Sequence, residues 1–311
     1  MTGSHALVTG GAGFIGSHLT RALLAEGRRV TVIDNLTVGR RGAVPDDARF
    51  VHGDIRDEAA LRDALEGVDG VFHLAAQVTI RGSFDRFVED LDTNVMGTAR
   101  LLKALDPSRV RWFTLASSMA VYADADSPAP IDESHPTRPL SPYGVGKLAA
   151  EQVSAQILAS RGIPFTAVRF FNTYGPGQTF TPYVGVLTIF ITKLLRGEPI
   201  TVFGDGEQQR DFIHVSDIVA GTMATPGKTP GCYNLGTGRG TSLNQLAELV
   251  LEALAPGQRP QHAPAHTGEL RFSVANIDAA RRALGFVPAR SLDRDLQEVI
   301  AHIRAREGLA E

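Results

Sequence analysis

The first half of the chain alternates short apolar runs with helix-length segments in which apolar and polar positions follow a helical period. Six runs are rich in β-branched or aromatic residues and bounded by Gly, Pro or Asp, which predicts buried strands. These runs are Ala6–Gly10, Arg29–Asp34, Arg49–Asp54, Gly70–Ala76, Val110–Ser118 and Pro164–Asn172. Between the first two, Ser17–Gly27 places Leu19 and Leu23 on one helical face. Alternating strands and helices predict right-handed crossovers and a parallel sheet covered on both faces, the doubly wound α/β class.

The pattern changes after Asn172. The stretch TYGPGQTFTPY is rich in Gly, Pro and Thr and is predicted to be an irregular loop. Helical segments and short strands are mixed beyond it, as in VLTIFITKLLRG and PITVFGDG. We therefore expect a sheet domain over residues 1–172 and a smaller mixed α/β lobe over residues 173–311, from which later segments can return to the sheet.

Composition narrows the class of protein. Of the 311 residues, 43% are hydrophobic and 21% charged, and the formal net charge is −3. Without a basic block, the sequence does not favour nucleic-acid binding. The chain enters an apolar strand-like run directly, and no stretch is apolar for long enough to span a membrane. Cys232 is the single cysteine, so an internal disulfide is impossible, which fits a reducing compartment. We therefore expect a cytoplasmic protein with no membrane partner.

A glycine-rich loop, TGGAGFIGSHL, joins the first predicted strand to the first predicted helix. The spacing of Gly10, Gly13 and Gly16 is typical of loops that turn tightly and approach a dinucleotide pyrophosphate at a helix N-terminus. Asp34 ends the next strand about 20 residues on, where an acid binds the ribose hydroxyls. Because a carboxylate repels a 2′-phosphate, this loop predicts NAD rather than NADP.

The stretch SPYGVGK places a phenol and an ammonium on one helical face, because Tyr143 and Lys147 are four residues apart. Ser141 is a good N-cap and Pro142 a good first-turn residue. A free tyrosine has a pKa of about 10, but a nearby ammonium and a nicotinamide cation both favour the phenolate. Ser118, at the end of a predicted strand, can reach the same cleft. These residues predict a general base that deprotonates an alcohol.

At this point the chain resembles the extended short-chain dehydrogenase/reductase family, and within it the nucleotide-sugar epimerases and dehydratases of the UDP-glucose 4-epimerase type. The motifs that carry the resemblance are TGGAGFIGSHL, VIDNL, GDIRD, HLAAQ, TNVMGT, SSMAVY, SPYGVGK, RFFNTYGPGQ, VFGDGEQQRDFIHVSDIV, YNLGTG and ALGFVP. The resemblance implies a Rossmann fold with bound NAD, and a C-terminal lobe that holds a nucleoside diphosphate sugar (UDP or dTDP). It also implies a homodimer formed by helices around Phe84–Leu105 and Tyr143–Ser160.

The resemblance assigns residues to each role. The triad it implies is Ser118, Tyr143 and Lys147. Its implied cofactor-binding residues are Gly10, Gly13, Phe14, Ile15, Gly16, Asp34, Asn35, Asp54, Ile55, Leu74, Ala75, Ala76, Asn94, Tyr143 and Lys147. Its implied substrate-binding residues are Ser118, Met119, Tyr143, Asn172, Val186, Leu187, Val202, Phe203, Arg210 and Glu269. No metal ligand is expected. For Arg210, a salt bridge with Asp211 is the alternative, and Gly146 stands where the family commonly has serine.

The residues after Ser118 help to choose the reaction. Dehydratases of the family carry an Asp-Glu pair there, whereas this chain has Met119 and Ala120, which cannot transfer protons. A 4-epimerase, which oxidises C4 to a transient ketone and returns the hydride, needs no further acid or base. A 4,6-dehydratase with bases from elsewhere, a 4-ketoreductase, and a non-catalytic dinucleotide sensor stay open as alternatives.

Overall fold

The computed structural model describes residues 4–179, 185–265 and 270–308. The strands are β1 His5–Thr9, β2 Arg29–Asp34, β3 Arg49–His52, β4 Gly70–His73, β5 Phe113–Ser118, β6 Phe165–Phe170, β7 Asn172–Tyr174, β8 Thr201–Phe203, β9 Gln209–His214, β10 Gly231–Leu235, β11 Gly240–Ser242, β12 Gln261–Ala263 and β13 Phe272–Ser273. The α-helices are α1 Phe14–Ala25, α2 Glu58–Ala64, α3 Gly82–Asp85, α4 Phe87–Leu91, α5 Thr98–Ala104, α6 Pro142–Ser160, α7 Val186–Leu195, α8 Val215–Met223, α9 Leu243–Leu254, α10 Asp278–Leu284 and α11 Leu292–Arg306.

A seven-stranded sheet in the order β3-β2-β1-β4-β5-β6-β10 forms the centre of the molecule. Every pairing in it is parallel. All six predicted strands are present in this sheet, which confirms the doubly wound α/β class. The strand order reverses between β1 and β4, and ligands of such sheets bind beside that point. The continuous apolar runs of the sequence are therefore explained by burial of both sheet faces.

Two segments beyond residue 172 pack with the large sheet. Strand β10 pairs with β6 from Gly231↔Thr166 to Leu235↔Phe170, and helix α8 packs on α1. These are segments that return from the second half of the chain. The division into domains at residues 1–172 and 173–311 stays a prediction.

The smaller lobe consists of short strands and three long helices. Strand β9 pairs with β7, β11 and β13, and a separate pair joins β12 to β8. Helices α7, α9 and α11 bury a common apolar core, whose fully enclosed side chains include Ile191, Leu246 and Val250. Within the described ranges, no helix is long and apolar enough to cross a membrane.

Helix α6 begins as its sequence predicts. Ser141 is the N-cap, with its Oγ accepting a hydrogen bond from the Gly144 backbone N–H at 3.2 Å, and Pro142 occupies the first turn. Between α4 and α5 the chain instead forms a π-helix over Asp92–Gly97. π-Helical segments are rare in proteins, and those that occur are frequently found at functional sites.

Candidate active site

A cavity of about 1090 Å³ opens at the carboxyl ends of the parallel strands, next to the reversal of strand order. It brings together most of the residues that the sequence singles out. Those lining it are Gly10, Gly13, Phe14, Ile15, Gly16, Asp34, Asn35, Asp54, Ile55, Leu74, Ala75, Ala76, Ser118, Tyr143, Lys147, Asn172, Val186 and Leu187. One cavity therefore holds the glycine loop and the Ser, Tyr and Lys side chains.

The glycine loop has no room for side chains at two of its positions. Gly10 has a φ of +72°, and a Cβ there would lie 2.8 Å from the Ala75 backbone. At Gly16 a Cβ would lie 2.1 Å from the Gly10 carbonyl oxygen. Gly13 is the N-cap of α1 and supplies no side-chain acceptor. The loop backbone therefore folds tightly against the N-terminus of α1, and no side chain caps the N–H groups there. An anion-binding loop requires both features.

The Asp34 carboxylate fastens this loop to the end of β2. Its Oδ2 accepts a hydrogen bond from the Ala12 N–H at 3.0 Å, and its Oδ1 accepts one from the Leu36 N–H at 2.8 Å. Leu36 has a φ of +59°, which is the left-handed region. Asp34 therefore holds both the glycine loop and the turn after β2 in place while its carboxylate faces the cavity.

Asp54 lies beside Asp34 and has a different set of partners. The Arg56 side chain hydrogen-bonds both oxygens of Asp54, and the Asn35 amide donates to Oδ2 at 2.8 Å. Together with burial acting in the opposite direction, these contacts lower the pKa of Asp54 to about 2. Asp54 is therefore an ionised carboxylate, paired with Arg56, in the lining of the cavity.

Ser118 ends β5 and Tyr143 projects from the first turn of α6, and both are more than nine-tenths buried. Burial raises the pKa of Tyr143 to about 12, although a hydrogen bond with Ser118 acts in the opposite direction. The chain's own residues therefore leave the phenol neutral. A positive charge from a bound group is needed to favour the phenolate, and an oxidised nicotinamide ring supplies one.

Lys147 lies one helical turn after Tyr143 and is 5% exposed. Burial lowers the pKa of Lys147 to about 8, while the Asp90 and Glu151 carboxylates act to raise it. The ammonium is thus still the major form at neutral pH, by a margin that depends on those carboxylates.

Asn94 does not line the cavity but supports a segment that does. Its Oδ1 accepts a hydrogen bond from the Gln77 N–H at 2.9 Å, and its Nδ2 donates to the Gln77 carbonyl at 3.1 Å. The Asn94 side chain lies in the π-helix and is almost fully buried. It therefore fixes the loop after β4, whose Leu74, Ala75 and Ala76 form one wall of the cavity.

The predicted substrate residues fall into two groups. Asn172, Val186 and Leu187 line the cavity, and Asn172 Oδ1 is buried without a hydrogen-bond partner among the described residues. An orphaned acceptor of this kind fits a polar ligand group. The others, which lie outside the cavity lining, are Met119, Val202, Phe203 and Arg210. Glu269, like His266 beside it, lies outside the described residues.

Arg210 has backbone carbonyl partners among the described residues. Its Nη1 donates to the carbonyl oxygens of Gln209 at 2.8 Å and Arg271 at 3.3 Å. The adjacent Asp211 instead accepts hydrogen bonds from the Thr237, Gly238 and Ala275 N–H groups. Backbone N–H groups therefore hold the Asp211 carboxylate, and a salt bridge between Arg210 and Asp211 stays untested.

Three residues that line the cavity or support its wall have no signal in the sequence pattern. Thr9 Oγ1 accepts from the Leu74 and Ala75 N–H groups at 3.1 and 3.0 Å, so it joins the ends of β1 and β4. From the far end of the chain, His302 Nε2 accepts from the Gly177 N–H at 2.8 Å and Arg306 Nη1 donates to the Gln178 carbonyl at 2.7 Å. Only the folded chain brings α11 to this cavity.

The fold and the cavity together define a dinucleotide-dependent enzyme. A glycine loop without a side-chain cap, an acid at the end of β2 and a long cavity between sheet and lobe fit NAD, on the geometry of the chain itself. Within the described ranges, no cluster of three or more His, Cys, Asp or Glu side chains is placed to hold a metal ion.

The chain belongs to the NAD dependent epimerase/dehydratase family, whose sequence model matches residues 6–236. It is 34% identical to a putative UDP-glucose 4-epimerase of Methanocaldococcus jannaschii, over 94% of this chain and 96% of that protein. A crystal structure of UDP-glucose 4-epimerase from Thermotoga maritima with UDP-glucose matches 97% of this chain and 99% of its own, with a TM-score of 0.93 and 34% identity. MoeE5, solved with UDP-glucose and NAD and with UDP-glucuronic acid and NAD, matches 98% of this chain and all of its own, with a TM-score of 0.87 and 37% identity.

Proposed function

We propose that this enzyme is an NAD-dependent 4-epimerase of a nucleoside diphosphate sugar. The observation that carries the proposal is the meeting of Ser118, Tyr143 and Lys147 with the glycine loop in one cavity. The whole-length similarity to UDP-glucose 4-epimerases supports it. The reaction needs one group that moves a proton at the sugar C4 oxygen, and the cavity provides one.

Each side chain has a role at that oxygen. The glycine loop and Asp34 would hold NAD, which would supply reversible hydride transfer at C4 and so allow reduction from the opposite face of a transient 4-keto sugar. Tyr143, as the phenolate, accepts the proton of the C4 hydroxyl and gives it back when the alcohol forms again. Ser118 hydrogen-bonds the reacting oxygen, and Lys147 stabilises the phenolate and binds the nicotinamide ribose.

The residues that follow Ser118 disfavour dehydration. Met119 and Ala120 lie in a short 3₁₀ turn and are buried in the core. Neither side chain can take a proton from C5 or give one to a leaving hydroxyl at C6. The alternative 4,6-dehydratase would need an acid and a base from elsewhere in the cavity.

For the substrate we propose a UDP-sugar. Its support is that the relatives reported above are named for UDP-glucose or were solved with UDP-sugars. Asn172, Val186, Leu187, Val202, Phe203 and Arg210 are the proposed substrate contacts. Of these, Asn172 has the strongest support, because its buried oxygen lacks a partner among the described residues and borders the cavity.

Proton NMR of sugar substrates tests the reaction. The purified protein would be incubated without added cofactor with UDP-glucose, UDP-galactose, their N-acetyl counterparts, UDP-glucuronic acid and dTDP-glucose. We expect the C4 epimer of one of them to appear. The matched variant Tyr143→Phe should bind NAD normally and give no turnover, because it lacks only the hydroxyl that moves the proton.

Other outcomes identify the alternatives. A new methyl signal with loss of water would make the enzyme a dehydratase. Turnover only of a 4-keto sugar with added reduced dinucleotide would make it a ketoreductase. Silence with every sugar in the presence of NAD would favour the non-catalytic sensor, and full activity of Tyr143→Phe would contradict the assigned base.

We also propose a homodimer and a cytoplasmic location. The dimer is supported by exposed apolar side chains on the two predicted helical regions. These are Phe84, Phe87, Val88, Met96, Val145 and Ile157, each more than one-third exposed. The location is supported by the single cysteine, Cys232, which is typical of a reducing compartment.

A further inference from the structure

Asp90 is a buried carboxylate to which the reaction described above assigns no role. It is the fourth residue of α4 and is 3% exposed. Its Oδ1 accepts a hydrogen bond from Asn94 Nδ2 at 3.0 Å. A buried acid is normally neutralised by a direct cationic partner or replaced by an apolar residue. No ion pair of Asp90 is found among the described residues, so its presence calls for another explanation.

The position of Asp90 points to Lys147. Helix α6 passes over α4 at Gly146, the residue immediately before Lys147. A Cβ at Gly146 would lie 3.3 Å from Asp90 Oδ1 and 3.4 Å from Asn94 Cβ. The small residue therefore lets the Asp90 carboxylate approach α6 closely, at the turn that carries the lysine.

The other carboxylate near Lys147 is already neutralised. Glu151, one turn further along α6, receives two hydrogen bonds from the Arg169 guanidinium, at 3.0 and 2.7 Å. Ser117 Oγ donates to the same carboxylate. With its charge balanced by Arg169, Glu151 contributes less to the potential at Lys147 than its position suggests. Asp90 is the carboxylate left to balance the lysine.

We propose that Asp90 is the counter-charge that keeps Lys147 protonated at neutral pH, and is thus a positioning residue for the epimerase reaction. The proposal rests on the proposed function for its catalytic consequence, because Lys147 must be an ammonium to stabilise the Tyr143 phenolate. Its electrostatic part concerns the protein alone. Asp90 also acts to raise the pKa of Tyr143, so the titration of Lys147, and not the rate alone, tests the proposal.

The remaining charged and titratable groups around Lys147 do not replace Asp90. His73 on β4 is fully buried, hydrogen-bonded to Thr9 and Thr98, and its pKa is lowered to about 3 by burial and by Lys147. It is therefore neutral. Other charged side chains on the segments around α6 are paired with one another or exposed. Asp92 pairs with Arg56 and Arg100, and Lys103 pairs with Glu58. Asp85 is exposed.

The effect of Asp90 on folding stability distinguishes its proposed electrostatic role at Lys147 from a purely structural role. Burial raises the pKa of Asp90 to about 6, against the opposing effects of Asn94 and Lys147. A carboxyl whose pKa is higher in the folded state binds protons more strongly there, so its contribution to stability falls as pH rises through that range. At neutral pH the ionised Asp90 destabilises the fold. Asp90→Asn keeps an acceptor for Asn94 and should leave the melting temperature unchanged or raise it.

The charge of Lys147 can be measured without any substrate, because the chain has only four lysines, Lys103, Lys147, Lys193 and Lys228. Protein containing lysine isotope-labelled at Cε gives four side-chain NMR signals, and Lys147→Arg identifies the signal of Lys147. The signal would be titrated across the neutral and alkaline range. We expect a midpoint near 8 in the parent protein and a clearly lower midpoint in Asp90→Asn.

Glu89→Gln is the matched control, since Glu89 is the preceding residue of α4 and is exposed. It should leave the Lys147 titration unchanged. In activity assays, the alkaline limb of the rate against pH should move to lower pH in Asp90→Asn only. An unchanged Lys147 midpoint in Asp90→Asn, or a lowered melting temperature without that shift, would overturn the proposal. Absence of epimerase activity in the parent protein would refute the proposed function and leave the titration informative.

Discussion

At the scale of single residues, the tightest requirement lies in the glycine loop. A Cβ at Gly16 would overlap the Gly10 carbonyl oxygen at 2.1 Å and approach Gly11 Cα at 2.8 Å, and both contacts are with backbone. Gly16→Ala is therefore expected to displace the loop, at a cost in the free energy of unfolding of about 1–3 kcal/mol, and to weaken NAD binding. Urea denaturation and fluorescence titration with NAD measure the two effects.

The control for that substitution is Gly42→Ala. A Cβ at Gly42 meets nothing within 4 Å, so the free energy of unfolding should change by less than about 0.5 kcal/mol. Equal affinity for NAD in Gly16→Ala and the parent protein would contradict the steric argument.

Asp34 carries the predicted preference for NAD and also a structural role that its position in the sequence does not reveal. Asp34→Ala removes the acceptor of the Ala12 and Leu36 N–H groups and the charge that repels a 2′-phosphate. We expect NAD affinity to fall. We also expect the dissociation constant for NADP divided by that for NAD to fall by about tenfold or more, equivalent to about 1.4 kcal/mol. Calorimetric titration with both dinucleotides measures this ratio. Asp47→Ala, at an exposed acid, should change neither affinity, and an unaltered ratio in Asp34→Ala would rule out the charge argument.

At the scale of elements, helix α6 is held to the sheet by a buried ion pair. Arg169 on β6 and Glu151 on α6 have side chains that are 6% and 9% exposed, and Ser117 on β5 joins them. Glu151→Gln leaves the arginine buried without a counter-charge, which is expected to lower the free energy of unfolding by about 3–5 kcal/mol. Because α6 also carries Tyr143 and Lys147, turnover should fall with it.

Chemical denaturation measures this loss, and a surface pair provides the comparison. Glu58 binds Lys103 at 2.9 Å, but both side chains are more than half exposed, so Glu58→Gln should have no measurable effect. Similar stability of Glu151→Gln and Glu58→Gln would show that the buried pair does not fasten the helix.

The elements differ in how much of them the sequence reveals. The start of α6 could be predicted, because Ser141 and Pro142 act through local hydrogen bonding and backbone geometry. The π-helix over Asp92–Gly97 could not, since it accompanies long-range contacts: Gly97 lies against Ile55, and Asn94 binds the loop after β4. Asp90 was missed for the same reason, because its relation to Lys147 exists only when α4 and α6 are packed.

At the scale of the whole molecule, local pattern predicts strands but not the sheet that each strand joins. The six strands of the first half follow one another through crossovers, so their sheet could be predicted from their order. Strand β10 joins β6 across 60 intervening residues, and nothing in GCYNL distinguishes it from a strand of the smaller lobe. Helix α11 likewise reaches the cavity through His302 and Arg306, a contact set by the packing of the entire lobe.

The proposed homodimer is the last feature of that scale, and it follows from the apolar surface of α3, α4 and α6. Phe87 is 51% exposed and Val88 63% exposed, and exposed apolar groups that cluster on a surface are typical of an interface. Val88→Asp would bury two charges in a two-fold interface, one from each copy, and should convert the dimer to monomers. Sedimentation velocity measures the change. Val287→Asp, at a valine 67% exposed in the segment before α11, is the matched control and should remain dimeric, whereas a dimer that persists in Val88→Asp would place the interface on another face.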